Sequence, residues 1–135
     1  MQQTEMYQKM ISSMPPLQYE ELPWGKTMLL KEGEGYKVRL LEVSPGCRMD
    51  LQYNRNRPKY WVIISGAARV TIGLQTGELT SLHSAHVPMR AVHRIENPHA
   101  ALLTVVEIQR GRLLNEEDRV CLDDDHECEQ ILWRN

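Results

Sequence analysis

The spacing of apolar residues separates the first 21 residues from the remainder of the chain. Apolar residues recur there at the spacing of one helix face, and Pro15-Pro16 then ends the pattern. The apolar positions are Met6, Met10 and Ile11. We expect residues 1–21 to form an N-terminal extension with a short helix, which packs on the rest of the domain or on a partner subunit.

From Trp24 to Gly111 the pattern changes to short runs of β-forming residues that are separated by glycine, proline and asparagine. The expected strands are 26–31, 36–43, 47–53, 60–65, 67–72, 78–82, 86–89, 91–96 and 100–109. In the second of them, Val38, Leu40 and Glu42 alternate with their neighbours. Eight or nine short strands at spacings of roughly 8–12 residues are typical of an all-β sandwich or barrel.

Size and composition fit one globular domain. The 135 residues are 41% hydrophobic and 25% charged, which is too apolar for a disordered chain. The net charge of −2 gives no basic face for nucleic acid. No apolar run approaches the roughly 18 residues of a membrane span, and the N-terminus lacks the order of a signal peptide. We therefore expect a cytoplasmic protein that binds neither nucleic acid nor membrane.

The three cysteines are an odd number and have no metal-like spacing. We expect Cys47, Cys121 and Cys128 to be free thiols in a reducing compartment. The segment 123–128, Asp-Asp-Asp-His-Glu-Cys, invites a metal interpretation, but a solvated acidic run is the simpler one. We assign 123–135 to an acidic C-terminal tail, in which Ile131-Leu132-Trp133 is either a docking segment or a frayed end.

Two stretches, 52–66 and 88–97, resemble the two cupin motifs. The second motif is matched by Pro88, His93 and Asn97, with Arg90 in place of its glycine, and Gly66 ends the first. The longer match is to the cupin domain of type II mannose-6-phosphate isomerases, which is often fused behind a mannose-1-phosphate guanylyltransferase. It rests on Pro23-Trp24-Gly25, Pro45-Gly46, residues 52–61, His93 to Pro98, Val106 to Gln109 and Asn115 to Val120. The resemblance implies an all-β, cupin-type double-stranded β-helix (jelly-roll) barrel over residues 22–122, commonly paired as a homodimer.

The first motif departs from the family at its metal ligands. The family has two histidines and a glutamate where this chain has Asn54, Asn56 and Lys59, so that His93 alone matches. An amide oxygen is a weak ligand for a first-row divalent ion, and an ammonium group repels the ion. We expect no metal cofactor. The charge is conserved, since a divalent ion with one glutamate carries +1, as does Lys59 with two neutral asparagines.

The resemblance implies isomerisation of mannose 6-phosphate, in which a base moves a proton between C1 and C2 and an electrophile polarises the carbonyl oxygen. Lys59 or an arginine would replace the metal as electrophile, with His93 or Glu107 as the base. The expected binding residues for an anionic sugar, a sugar phosphate or a nucleotide sugar, are Gln52, Asn54, Asn56, Arg57, Arg90 and Arg94.

Several alternatives stay open at this point. A core histidine with a satisfied hydrogen bond is the simpler interpretation of His93 than a relic ligand or a general base. Asn54 and Asn56 fit a hydrogen-bond network that fills the emptied site as well as they fit binding groups. Arg55 is expected in solvent, and Arg90 may mark no more than a changed turn. For the whole domain the candidates are an isomerase, a non-catalytic sugar-binding cupin of polysaccharide metabolism, and a structural or regulatory dimer.

Overall fold

The computed structural model describes residues 3–12, 18–111, 118–126 and 128. In this part of the chain one helix, α1 (Gln3–Ser12), is followed by eleven strands. The strands are β1 (Gln18–Leu22), β2 (Gly25–Gly33), β3 (Tyr36–Val43), β4 (Leu51–Asn54), β5 (Lys59–Ser65), β6 (Ala68–Ile72), β7 (Gln75–Leu79), β8 (Ser84–Val87), β9 (His93–Glu96), β10 (Leu103–Arg110) and β11 (Arg119–Asp123).

The strands form two sheets that face each other across one core. One sheet has the order β1-β2-β3-β10-β5-β8, and the other has the order β11-β4-β9-β6-β7. Neighbouring strands are antiparallel, as in the pairs that β10 makes with β3 and β5. Strands that are distant in sequence are thus neighbours in space. The all-β, double-stranded β-helix barrel with a short N-terminal helix is confirmed.

The barrel is longer at both ends than residues 22–122. It begins at β1, inside the segment that the sequence assigns to the extension, and β11 carries it to Asp123. Both strands are largely polar and exposed, since each is an outermost strand of its sheet. Neither therefore has the apolar alternation that marks a strand in sequence. The side chains of Met10 and Ile11, and the segments 112–117 and 129–135, lie outside the described residues.

The inner face of β3 is the opposite of the one that its apolar pattern suggests. Leu41 and Val43, rather than Leu40, belong to the central core cluster, and Arg39 shares their face. The period of two was correct, but both faces of β3 carry apolar residues. Alternation alone therefore does not tell which face is inside.

The interior changes from apolar to polar along the barrel. On β10 the inward positions are Leu103 and Val105, followed by Glu107 and Gln109. The apolar half also holds Trp61, which is fully buried. The buried core cluster consists of Trp24, Leu41, Val43, Cys47, Met49, Trp61, Ile63, Ala68, Val70, Val87, Ile95, Leu103 and Val105. One end of the barrel is thus a closed hydrophobic core, and the other end holds charged and amide groups.

The prediction of three free thiols is wrong for two of them. Cys47 and Cys128 form a disulfide across a sequence separation of 81 residues, whereas Cys121 is free and exposed. The pairing arises because residues 123–126 fold back onto the barrel. Arg48 donates to Asp125, and Arg94 donates to the Met49 and Asp123 carbonyl oxygens. The spacing of the cysteines in the sequence does not reveal that the C-terminal segment returns to the barrel.

The turn between β5 and β6 contains Gly66, the glycine of the first motif, and the chain is tightly packed there. It has a φ of 86°, and a Cβ there would lie 2.7 Å from the carbonyl oxygen of Leu102. Gly73 has a φ of 62° with no atom within 4 Å of such a Cβ. We predict that Gly73→Ala costs about 1 kcal/mol for its left-handed backbone, and that Gly66→Ala costs at least ~2 kcal/mol more. Denaturant unfolding of both variants measures the difference; equal losses would contradict the clash.

Candidate binding cavity

A cavity of about 170 Å³ opens at the polar end of the barrel, between the two sheets. The buried side chains of Lys59, Glu107 and Gln52 form the deep end of the cavity, and the exposed side chains of Glu20 and Arg119 lie at its mouth. The charged side chains of the lining are Glu20, Arg39, Asp50, Arg57, Lys59, Glu107 and Arg119. Trp24, Leu22, Leu41 and Met49 supply its apolar wall.

Lys59 is the centre of the buried polar cluster. It begins β5, and its Nζ lies 3.1 Å from Nε2 of His93 and 3.9 Å from Oε2 of Glu107. The side chain therefore reaches across the barrel from one sheet to β9 of the other. A buried ammonium is tolerated only when acceptors and opposite charge surround it, and His93 and Glu107 supply both.

His93 has a defined tautomer, since each ring nitrogen has a different kind of partner. Nδ1 lies 2.9 Å from the carbonyl oxygen of Ala91 and donates to it, which leaves Nε2 to accept from Lys59. Burial, and then the ammonium of Lys59, lower the pKa of His93 from 6.5 to about 4. His93 is thus a neutral acceptor behind Lys59, and it is not part of the cavity lining.

Glu107 is held ionised in spite of its burial. Burial raises the pKa of its carboxyl group, but the ammonium of Lys59 and hydrogen bonds from Trp61 and Gln109 outweigh burial and lower the pKa. Trp61 Nε1 donates to Oε2 at 2.9 Å, and Gln109 donates to Oε1. Trp61 is the cross-strand neighbour of Glu107 on β5, so the sheet register itself sets this contact.

A second buried charge pair stands beside the first. Arg57 Nε lies 3.2 Å from Oδ2 of Asp118, and Arg57 also donates from Nη1 to Gln109 at 2.7 Å. At the mouth, Arg119 lies 3.5 Å from Asp50. Among the cationic side chains of the lining, Arg57, Lys59 and Arg119 each lie close to a carboxylate.

The structure brings together five of the nine predicted site residues. Gln52, Arg57, Lys59 and Glu107 line the cavity, and His93 lies directly behind Lys59. These positions come from four strands and the turn after β4, and the barrel topology places them at one end.

The structure places Asn54 and Asn56 in different environments, although the sequence suggests that their side chains lie on the same face of one strand. β4 ends at Asn54, whose side chain is buried, and Asn56 follows in a bend with an exposed side chain. The backbone N–H of Asn56 donates to Asp118 Oδ1 at 2.8 Å. The strand thus ends before a second inward position is reached. Arg55 is exposed, as expected.

Arg90 and Arg94 lie away from the cavity. Arg90 is exposed and has a φ of 68°, so it adopts the left-handed conformation that the motif glycine would favour. Arg94 is buried, but it contacts the C-terminal segment through Met49 and Asp123. On β9 it alternates with the inward His93 and Ile95 and therefore points to the other face.

The donor set does not fit the divalent metal that the family resemblance implies. The Nε2 atom of His93, the nitrogen that faces the interior, is already occupied by the ammonium of Lys59 at 3.1 Å. In the described part of the chain, no three histidine, cysteine, aspartate or glutamate side chains are close enough to hold an ion. The loss of the metal stays a prediction, which elemental analysis of the purified protein tests.

The sequence analysis did not name six polar residues of the lining, nor Asp118, which pairs with Arg57 beside it. The six are Glu20, Thr27, Arg39, Asp50, Gln109 and Arg119. Arg39 and Gln109 were accessible in principle, because each continues the inward alternation of a predicted strand that contains Leu41 or Glu107. Asp118 lies in no regular strand pattern, and its pairing with Arg57 spans 61 positions, so sequence carried no signal for it.

The two antiparallel sheets define a cupin-type double-stranded β-helix barrel, and solved structures support this fold. The chain superimposes with a TM-score of 0.69 on the oxalate decarboxylase of Lactobacillus farciminis, with 17% identity, over 78% of this chain and 33% of that one. At this identity the likeness concerns the fold alone.

Sequence comparison identifies the family. The family model of the mannose-6-phosphate isomerase C-terminal domain matches residues 18–124. The mannose-1-phosphate guanylyltransferase RfbM of Salmonella typhimurium is 37% identical over 108 residues, 78% of this chain and 22% of the relative. The alginate biosynthesis protein AlgA of Pseudomonas aeruginosa is 36% identical over 102 residues, 76% of this chain and 21% of the relative.

The chain therefore belongs to the mannose-6-phosphate isomerase C-terminal family of cupins. It spans about a fifth of the length of the curated relatives that it matches. The match begins at the first residue of β1, which agrees with the barrel boundary in the structure rather than with residue 22. None of the described helical residues form a helix with the length and apolarity that crossing a bilayer requires.

The depressed pKa of His93 predicts how stability depends on pH. Below pH 6.5 the unfolded chain takes up a proton at His93, whereas the folded chain does so only near pH 4. Stability is therefore present above pH 6.5 and is lost as the pH falls. We expect the free energy of unfolding to drop by about 2 kcal/mol from pH 7 to pH 5 in urea titrations.

His93→Gln is the matched control for this prediction, because the glutamine oxygen can accept from Lys59 but does not titrate. The drop between pH 7 and pH 5 should shrink by about the same 2 kcal/mol in this variant. An identical pH dependence in both proteins would show that other groups cause it.

Proposed function

We propose that this domain binds an anionic sugar, a sugar phosphate or a nucleotide sugar, in the barrel cavity without the metal of its family. One observation carries the proposal: Lys59, at the position of a metal-binding glutamate in the motif, holds its ammonium 3.1 Å from His93 Nε2 on the cavity wall. A positive charge thus stands beside the one remaining ligand position.

The charge of the lining supports an anionic ligand. Four cationic side chains and three carboxylates line the cavity, while Asp118, the carboxylate that balances the fourth cation, is not part of the lining. Electrostatic attraction is stronger in a narrow, partly desolvated cleft than at an open surface. Arginine suits phosphate especially well, because its planar group donates two parallel hydrogen bonds.

The size of the cavity restricts the ligand. A volume of about 170 Å³ lies below the roughly 300–1,000 Å³ of pockets for drug-sized ligands. The deep part therefore suits a single sugar unit, and any nucleotide would extend past the mouth.

Family membership suggests the metabolic setting. The relatives are named for mannose 1-phosphate guanylyl transfer and for alginate biosynthesis, both of which belong to polysaccharide synthesis. We place this domain in carbohydrate metabolism on that ground. We also propose a cytoplasmic homodimer that contacts neither nucleic acid nor membrane; the exposed outermost strand β1 offers an edge for pairing.

Binding of mannose 6-phosphate tests the role of Lys59. We predict that the double variant Lys59→Met/Glu107→Gln, which removes both charges of one pair, weakens binding at least about tenfold in calorimetric titration. Removing both partners leaves no buried charge unpaired, so the fold should persist. Glu107→Gln alone keeps the ammonium and should bind at least as tightly as the wild type.

Arg69→Gln is the control for this titration, since Arg69 is exposed on β6 outside the cavity. Wild-type affinity in the double variant would contradict the role of Lys59. No heat and no thermal shift with millimolar mannose 6-phosphate in the wild type would reject the proposed function for this ligand.

A second candidate is metal-free isomerisation of mannose 6-phosphate. It is favoured by the ionised Glu107 and the ammonium of Lys59, which face one cavity with 3.9 Å between Oε2 and Nζ. Glu107 would accept the proton from C2 of the open-chain aldose and return it to C1. Lys59 would donate a hydrogen bond to the carbonyl oxygen O1 and thereby stabilise the enediolate. The proton of the O2 hydroxyl would pass to O1 as the carbonyl group forms at C2.

A coupled assay for fructose 6-phosphate distinguishes this candidate from simple binding. If the isomerase hypothesis holds, turnover persists in the presence of a chelator and falls by at least about a hundredfold in Glu107→Gln, since a general base contributes 10²–10⁴-fold. Tight binding without turnover would support the non-catalytic module. Turnover that requires added Mn²⁺, Zn²⁺ or Co²⁺ would contradict the metal-free reading.

A further inference from the structure

Three buried polar atoms on the inner face of β4 have no hydrogen-bond partner among the described residues. They are Oε1 of Gln52 and both Oδ1 and Nδ2 of Asn54, in side chains that are 3% and 2% exposed. Unpaired groups of this kind are destabilising when nothing else contacts them.

Asn97 is a buried asparagine with a structural role, and its contacts can be compared with those of Asn54. It is 1% exposed, and its Nδ2 donates to the carbonyl oxygens of Val43 and Ala101 at 2.9 and 2.8 Å. Its Oδ1 accepts from the backbone N–H of His99. Asn54 is as deeply buried, yet neither end of its amide has such a contact.

Gln52 connects the unpaired amides with the cavity. Gln52 lines it, and Asn54 lies two residues further along the same strand on the same inward face. The cross-strand partner of Gln52 is His93, which places Gln52 next to the Lys59 cluster. Gln52 thus lies at the deep end of the cavity, and Asn54 is its neighbour on β4.

The polarity of these atoms selects a class of ligand group. Two of them, Gln52 Oε1 and one end of Asn54, only accept hydrogen bonds, and the other end of Asn54 only donates. A phosphate or carboxylate also only accepts, so it leaves the amide oxygens unpaired. A hydroxyl group both donates and accepts and matches the set.

The charges near these amides point in the same direction. Lys59 lies close to Glu107, and Arg57 lies close to Asp118, so both buried cations already have carboxylate neighbours. Arg39 and Arg119 of the lining lie nearer the solvent. At the mouth, Arg119 likewise lies 3.5 Å from Asp50. The deep part therefore adds unpaired amides to charges that already have partners, and a neutral hydroxyl group suits it better than an anion does.

We propose that Gln52 and Asn54 form a hydroxyl subsite next to the Lys59 cluster, which takes hydroxyl groups of a sugar rather than its phosphate. The inference rests on the proposed function for the identity of the ligand as a sugar phosphate. It adds the residues that contact the neutral part of the ligand.

Two substitutions remove the unpaired atoms at nearly constant volume: Asn54→Leu and Gln52→Met. Each is titrated with mannose 6-phosphate, mannose and inorganic phosphate, and its thermal unfolding is recorded. We expect each to keep or raise the melting temperature, because an unpaired buried polar group is lost. Binding of both sugars should weaken about tenfold or more, while phosphate binding stays within twofold of the wild type.

Asn97→Leu is the matched control for stability, and Arg69→Gln for binding. Asn97→Leu removes an asparagine with contacts at both ends and should lower the melting temperature clearly. If Asn54→Leu lowers it equally, the amide has structural contacts and the subsite is rejected. Should Asn54→Leu fail to fold, Gln52→Met alone decides the binding result.

The outcomes separate this inference from the proposed function. Wild-type sugar affinity in the folded variants would mean that ordered water fills the site, which overturns the inference and leaves the proposed function intact. Mannose binding as tightly as mannose 6-phosphate, with loss in the variants, supports the subsite and overturns the anionic ligand. Absence of binding by either sugar to the wild type overturns both.

Discussion

The buried ammonium of Lys59 is the interaction on which the polar half of this barrel depends. A charge taken out of water is stable only if its surroundings replace the lost hydration, and here the neutral Nε2 of His93 and the carboxylate of Glu107 do so. Trp61 and Gln109 in turn hold Glu107 ionised. Removing either partner of such a pair destabilises the fold by about 3–5 kcal/mol, because the remaining charge is left buried without compensation. The members of the cluster therefore depend on one another.

This cluster also explains how a cupin barrel retains its architecture with a changed first motif. The apolar half, built around Trp61, Ile63 and Leu103, does not use the motif's ligand positions at all. The polar half needs a positive charge opposite Glu107, and Lys59 supplies it from within the chain. The unpaired amides of Gln52 and Asn54 are the exception to this internal compensation. Natural folds accept such local costs mainly where a ligand is bound, which is why we regard the deep end of the cavity as the functional end.

Sequence analysis succeeded where local pattern and structure coincide. The strands β3, β5 and β10 lie close to where the sequence pattern predicts them, and Gly66 occupies the left-handed turn that its motif position suggests. It failed where a side chain's surroundings come from elsewhere in the chain. Asn56 was expected inside, but the strand ends at Asn54 because the backbone N–H of Asn56 turns toward Asp118. Arg94 was expected in the cavity, yet it anchors the C-terminal segment, and that segment also brings Cys128 to Cys47.

By itself the sequence determined the fold class, because alternation and turn residues act over a few positions and need no distant partner. It also determined that the first motif carries an ammonium and two amides where the family carries metal ligands. Only the tertiary structure decided what those groups do. Lys59 meets His93 across 34 positions, and Arg57 meets Gln109 across 52, since the order and register of strands in two sheets set both distances. The barrel as a whole therefore determines which charges are paired and which amides lack a hydrogen-bond partner. No local sequence pattern encodes these contacts.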